Sequence, residues 1–161
     1  MRFITITCLL LYAAFVWAEE RSFVIAVVVP AQEQAEALKL TPSSLKLIYL
    51  RKQLYWPNGK RIVPFNLQSE HVLRSQFSMA VLGSLPKQQI DYWNGLYFNG
   101  IQPPQSVNSE ESVIRFISDT KSAIGYVNAC NLDDRVKPLL WIQEGNISTH
   151  SPSLNCSQSS R

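Results

Sequence analysis

Residues 40–66 read LTPSSLKLIYLRKQLYWPNGKRIVPFN, and this stretch carries a helix, a turn and a strand in order. Thr41 can accept hydrogen bonds from the free amides of a helix start, and Pro42 falls at the first helical position, where its missing N–H costs nothing. Leu45, Ile48 and Tyr49 follow at spacings of three and four, so they share one face. Arg51-Lys52 suit the negative end of the helix dipole. Trp56-Pro57-Asn58-Gly59 is a turn, because proline presets one dihedral and Asn-Gly accepts positive φ. Arg61 to Asn66 then reads as a short strand, which Pro64 confines to a sheet edge or ends early.

The flanking sequence repeats this alternation. Phe23 to Val29 (FVIAVVV) is continuously apolar and rich in β-branched residues, the pattern of a strand buried on both faces. Pro30 ends it, and Ala31 to Leu40 is loop or a short helix. Downstream, Ser69-Glu70 starts a second helix, with Val72, Leu73, Phe77, Ala80 and Val81 as its buried stripe and Gly83 as a left-handed stop. A third helix spans about Pro86 to Trp93, burying Ile90 and Trp93 and halted by Asn94-Gly95. Tyr97 to Val107 contains Gly100 and Pro103-Pro104 and reads as a loop. A fourth helix opens at Ser109, with Glu110 and Glu111 in its first turn and Val113, Phe116 and Ile117 inward. Ile124 to Val127 is a short buried strand. Val136 to Ile142 is another, placed at an edge by Pro138. Strands alternating with helices give an α/β sandwich around a small mixed sheet.

A chain of 161 residues is one domain's worth. With 46% hydrophobic and 17% charged residues, it can bury a core. A net charge of +3 without a basic stripe does not suggest nucleic-acid binding. The histidines are His71 and His150, no G-x-S-x-G or H-E-x-x-H occurs, and the Asp133-Asp134 pair sits in a loop without a partner. Catalytic constellations are therefore absent, no cofactor is implied, and the chain reads as a binding protein and not an enzyme. Cys130 and Cys156 lack the spacing of a metal site. In an oxidising compartment they could pair and tie the C-terminal tail to the domain. The alternative is two free thiols, and spacing does not choose between them.

Arg2 precedes an apolar run from Ile4 to Val16, and Val16-Trp17-Ala18 leads into Glu19-Glu20. That order is a secretory signal peptide cleaved after Ala18, and the run is shorter than the roughly 20 apolar residues of a membrane span. The expected organisation is a signal peptide at 1–18, a domain at 19–144 and a flexible tail at 145–161, poorly ordered unless Cys156 is pinned.

Three segments together resemble the phosphate-binding proteins of ABC transporters, members of the type 2 periplasmic binding protein superfamily. Residues 40–66 are similar to a helix with an L-x-x-I-[FY] core that leads into a W-x-[DN]-G turn, here Leu45, Ile48, Tyr49, Trp56, Asn58 and Gly59. SVIRFISDTKSAIGYV (112–127) resembles their helix followed by a G-A-I-G-Y strand, with Ser122 where those proteins usually carry glycine. YWNGLYFNG (92–100) looks like the Y-W-x-x-x-x-F-x-G element of short, single-lobe relatives. The resemblance covers Phe23 to Ile142. It implies a three-layer α/β/α single lobe with a small mixed sheet, periplasmic location, and a role in phosphate transport or oxyanion sensing beside a transporter or envelope protein. It also points to bacteria, so the N-x-S matches at Asn146 and Asn155 read as chance.

Those proteins hold phosphate with an Arg-x-Asp-x-Ser-Gly-Thr run at a helix start. Aligned on Phe77, His71, Val72 and Leu73 stand in place of Ser-Gly-Thr. The remaining candidates for an anion are Ser69, His71 and Arg74, at a helix start whose amides could receive one, with Glu70 opposing. A second reading of function is an envelope interaction module that has lost its ligand. Two further groups admit a binding reading beside a plainer one. Tyr49, Tyr55, Trp56, Tyr92, Trp93, Tyr97 and Phe98 read as core packing, with a stacking platform as the alternative. Arg51, Lys52, Lys60 and Arg61 around the Trp56 turn read as a solvated rim, with an anion-binding patch as the alternative.

Overall fold

The computed structural model describes residues 23–156; the expected signal peptide lies outside the described residues. The strands are β1 (Ile25–Pro30), β2 (Val63–Leu67), β3 (Gln105–Val107), β4 (Ala123–Asn128), β5 (Val136–Gln143) and β6 (Asn146–Ser148). The helices are α1 (Ala35–Leu38), α2 (Pro42–Tyr49), α3 (Val72–Phe77), α4 (Ile90–Tyr97) and α5 (Glu110–Asp119). One mixed sheet has the order β3-β2-β4-β1-β5-β6. β2 runs parallel to β3 and β4. β1 is antiparallel to β4 and β5, and β5 to β6.

The apolar run of β1 occupies the middle of the sheet and is buried along its whole length. The alternation of β4 shows what covers each face. Gly125 points at Val113 and Ile117 of α5, while the ring of its neighbour Tyr126 stacks on Phe77 of α3 and lies 6.0 Å from that of Tyr49 at the end of α2. Thus α5 covers one face and α2 with α3 the other, giving three layers. α2 starts as its sequence requires: Thr41 Oγ1 accepts the Ser44 N–H, and Ser44 Oγ accepts the Thr41 N–H. Leu45, Ile48 and Tyr49 are fully buried, each aliphatic side chain contributing about 1.5–3 kcal/mol.

Several expectations are corrected. β2 is not an edge strand. Its first residues pair with β4 and its last three with β3. The Val63 N–H turns toward β4, where it meets the Ser122 carbonyl at 3.2 Å, so the nitrogen of Pro64 faces the β3 side, before β3 begins. β5 lies between β1 and β6, but β6 pairs only with Trp141–Gln143, which leaves the outer side open at Pro138. The sheet thus runs on past Glu144, through a turn in which Glu144 and Gly145 both have positive φ. Residues 97–107 are not all loop, since β3 adds to β2.

The third helix does not stop at Asn94-Gly95: a 3-10 turn at Pro86–Gln89 runs into α4, which ends at Tyr97. α4 buries no residue fully, and Ile90 is 55% exposed, because no element packs over that side of the helix. The second helix starts three residues later than expected, at Val72, and passes through a π-helical turn at Ser78–Leu82 before Gly83 stops it at φ +74°. Val72 faces outward. Ile114 joins Val113 and Ile117 as buried residues of α5. Cys130 and Cys156 form a disulfide, with Cα atoms 5.4 Å apart, that ties the tail to the end of β4.

Candidate functional site

The sheet opens at the C-terminal end of β2. Past Pro64, β2 no longer pairs with β4, and two tyrosine hydroxyls satisfy the backbone groups this exposes. Tyr49 donates to the Phe65 carbonyl at 3.0 Å. Tyr126 accepts the Leu67 N–H at 3.3 Å and donates to Asn66 Oδ1 at 2.5 Å. Burial pushes both phenols well above the ordinary tyrosine range, so both stay protonated as these bonds require.

Arg74, on α3, interacts electrostatically with both phenols and opposes that rise. Burial lowers its own pKa. Its Nε and Nη1 are buried and make no hydrogen bond. Its guanidinium has no ion pair among the described residues. One turn further, Ser78 is fully buried and its hydroxyl also lacks a partner. Spaced by four residues, the two side chains share a helix face. Unmet buried polar groups of this kind carry a desolvation cost, which a bound partner would offset.

The other two residues expected here have local partners. Ser69 is in the turn before the helix and donates to Glu70 Oε1 at 2.5 Å. That bond holds the Glu70 carboxyl below its usual pKa and therefore ionised. His71 is the N-cap, its Nδ1 accepting the Leu73 N–H at 3.2 Å, which leaves the ring proton on Nε2. Arg74 is among the residues expected from the sequence; Ser78 is not. Its four-residue spacing from Arg74 was the available signal.

The aromatic set divides. Tyr49 and Trp56 are core residues, Trp56 donating its indole N–H to the Ser122 carbonyl at 3.1 Å. Tyr92 is half-buried and donates to the Leu50 carbonyl at 2.7 Å, and Trp93 packs edge-on against its ring. Tyr55, Tyr97 and Phe98 are exposed, contrary to the packing expected of them. The basic group divides too. Lys60 lies 3.6 Å from Glu33, Lys52 is exposed, and Arg51 and Arg61 line one cleft. Asp133 is engaged by Arg135. Among the described residues no group of three or more His, Cys, Asp or Glu is placed to hold a metal ion, and no helix is long and apolar enough to cross a membrane.

The architecture matches solved structures. A protein from Clostridium perfringens described as a phosphate ABC transporter substrate-binding protein, with bound phosphate, superposes with a TM-score of 0.58 at 19% identity, covering 73% of this chain and 44% of its own. An ABC-type phosphate transport receptor from Vibrio cholerae gives 0.54 at 18% identity, over 73% and 45%. PstS from Borrelia burgdorferi gives 0.50 at 18%, over 68% and 42%. The likeness is one of fold. This chain spans less than half the length of the structures it matches. No protein-family model matches it, and no curated protein matches its sequence.

Ser122, where the resemblance implied glycine, has φ +62°, a conformation that favours glycine. It is held there because its N–H donates to Glu33 Oε1 at 3.1 Å, while its carbonyl accepts from Trp56 and Val63.

Proposed function

We propose that this chain is an exported, periplasmic solute-binding module that takes a small oxyanion such as phosphate, acting by binding and not by chemistry, in connection with transport or sensing. The observation that carries the reading is the Arg74 guanidinium, with two buried nitrogens unpartnered and no counter-charge among the described residues, one turn from the unpartnered Ser78 hydroxyl. On this reading Ser69, in the turn before α3, and His71, its N-cap, complete the proposed set. Support also comes from the fold, whose solved examples include one described with bound phosphate.

Calorimetric titration of residues 19–161 with phosphate and sulfate tests the reading. The expected result is saturable heat that weakens about ten-fold or more in Arg74→Met, the loss of a charge-assisted hydrogen bond. The same variant should be as stable as the parent or more so, because it removes an uncompensated buried charge. Absence of heat at millimolar phosphate in the parent protein rejects the reading.

A second reading, an envelope interaction module without a ligand, is favoured by a different observation. Ile90, Tyr97 and Phe98 are 55%, 65% and 87% exposed on and just after α4, and apolar side chains gathered at a surface mark contact sites. Cross-linking in intact envelopes checks it. Recovery of free monomer only, with Phe98→Ser behaving as the parent, counts against it.

A further inference from the structure

A cleft of about 450 Å³ is lined by residues 51, 54 and 61–64 and by residues 100–105. It is at the N-terminal end of β2, whereas Arg74 belongs to the helix that follows the other end. Arg51 and Arg61 both line it, and no carboxylate does. Neither guanidinium makes an ion pair or hydrogen bond among the described residues, and Arg51 Nε is buried without a partner. Arg51 is held there by an unusual backbone: the chain turns at φ +58°, with its N–H bonded to the Ile48 carbonyl at 3.0 Å. Burial and the facing charge of Arg61 together lower the Arg51 pKa. Two cations therefore share one recess with no carboxylate among the described residues to balance them.

The remaining walls are mainly apolar, with Leu54, Ile101, Pro103 and Pro104 among them. The prolines have no N–H to offer; Gln102 and Gln105 also line the cleft with neutral amides, so the guanidiniums are its charged donors. A bare phosphate ion would leave most of this space unfilled, since clefts of this size hold small organic molecules. We propose that this cleft binds a small organic anion, one phosphate or carboxylate group on an apolar body, with the charge on Arg51 and Arg61 and the body against the proline-lined wall. This site is separate from the one around Arg74 and does not depend on it.

Phenyl phosphate is a suitable probe, compared by calorimetry with inorganic phosphate, which has the charge alone, and benzyl alcohol, which has the apolar ring alone. In the Arg74→Met background, where the other proposed site is weakened, phenyl phosphate should bind one-to-one, about ten-fold or more tighter than either. Its binding should weaken by a similar factor in Arg51→Gln and in Arg61→Gln, and stay unchanged in Lys46→Gln, which removes an exposed charge elsewhere. If Arg51→Gln fails to fold, the exposed Arg61→Gln decides the matter alone. Phosphate binding at Arg74 should survive Arg61→Gln, so the two sites fail independently. Phenyl phosphate binding no tighter than the two fragments, or binding equally well to Arg61→Gln, overturns the proposal.

Discussion

A methyl group at position 125 would lie 2.5 Å from Ile117 Cδ1 and 2.9 Å from Val113 Cγ1. Both atoms belong to buried α5 side chains, so neither can move into solvent. Gly125→Ala should therefore cost about 1–3 kcal/mol through overpacking, read from the midpoint of urea unfolding. A midpoint equal to the parent's would show that α5 packs less closely than described. Ser122→Gly, three residues earlier, should behave differently. It relieves the positive-φ cost of a non-glycine residue but adds chain entropy to the unfolded state, and these nearly cancel at about 1 kcal/mol each. All the bonds that hold Ser122 come from its backbone, so none is lost, and stability should stay within about 0.5 kcal/mol.

Among the elements, α2 depends on a reciprocal cap. Thr41→Ala removes the acceptor of the Ser44 N–H and should cost about 0.5–2 kcal/mol, again by urea titration. α5 is tied differently. Arg135 donates to both oxygens of Glu111 at 2.8 and 2.9 Å and to Asp133 at 2.6 Å, linking the first turn of the helix to the start of β5. These bonds hold both carboxyls below their usual pKa. A carboxyl depressed in the folded state contributes stability above its ordinary pKa, and that contribution is lost as pH falls through the lowered value. The thermal midpoint should thus decline below about pH 4. The double variant Glu111→Gln, Asp133→Asn should show a shallower decline, and identical acid limbs would mean that the pairs contribute nothing. The effect is small because these groups face water.

At the scale of the molecule, the Cys130–Cys156 bond closes a loop across 26 positions and anchors the tail beyond β6. Cys156→Ser should lower stability by about 3 kcal/mol on the chain-entropy account, and the parent with reductant should match it. Equal stability of oxidised and reduced parent would show that the tail is not part of the cooperative unit. The sheet itself joins distant segments: β1 pairs with strands that begin about a hundred positions later, so its formation needs nearly the whole chain.

Local patterns were legible in the residue order. Thr41-Pro42 announces a helix start, FVIAVVV a strand covered on both sides, and the three motifs the right architecture, because capping, turn chemistry and side-chain periodicity act within a few residues. Contacts between distant segments were not. Pro64 reads as an edge residue, yet β2 is interior, since β3 joins it only after the proline and two tyrosines from other elements take up its free backbone groups. Ile90 and Tyr97 read as core, yet they are exposed, because burial depends on whether another element covers that face. Arg74 could be named from its place near a helix start. Its lack of a partner, and the pairing of Arg51 with Arg61 across a cleft, arise from how separate segments come together, and residue order alone carries no record of that geometry.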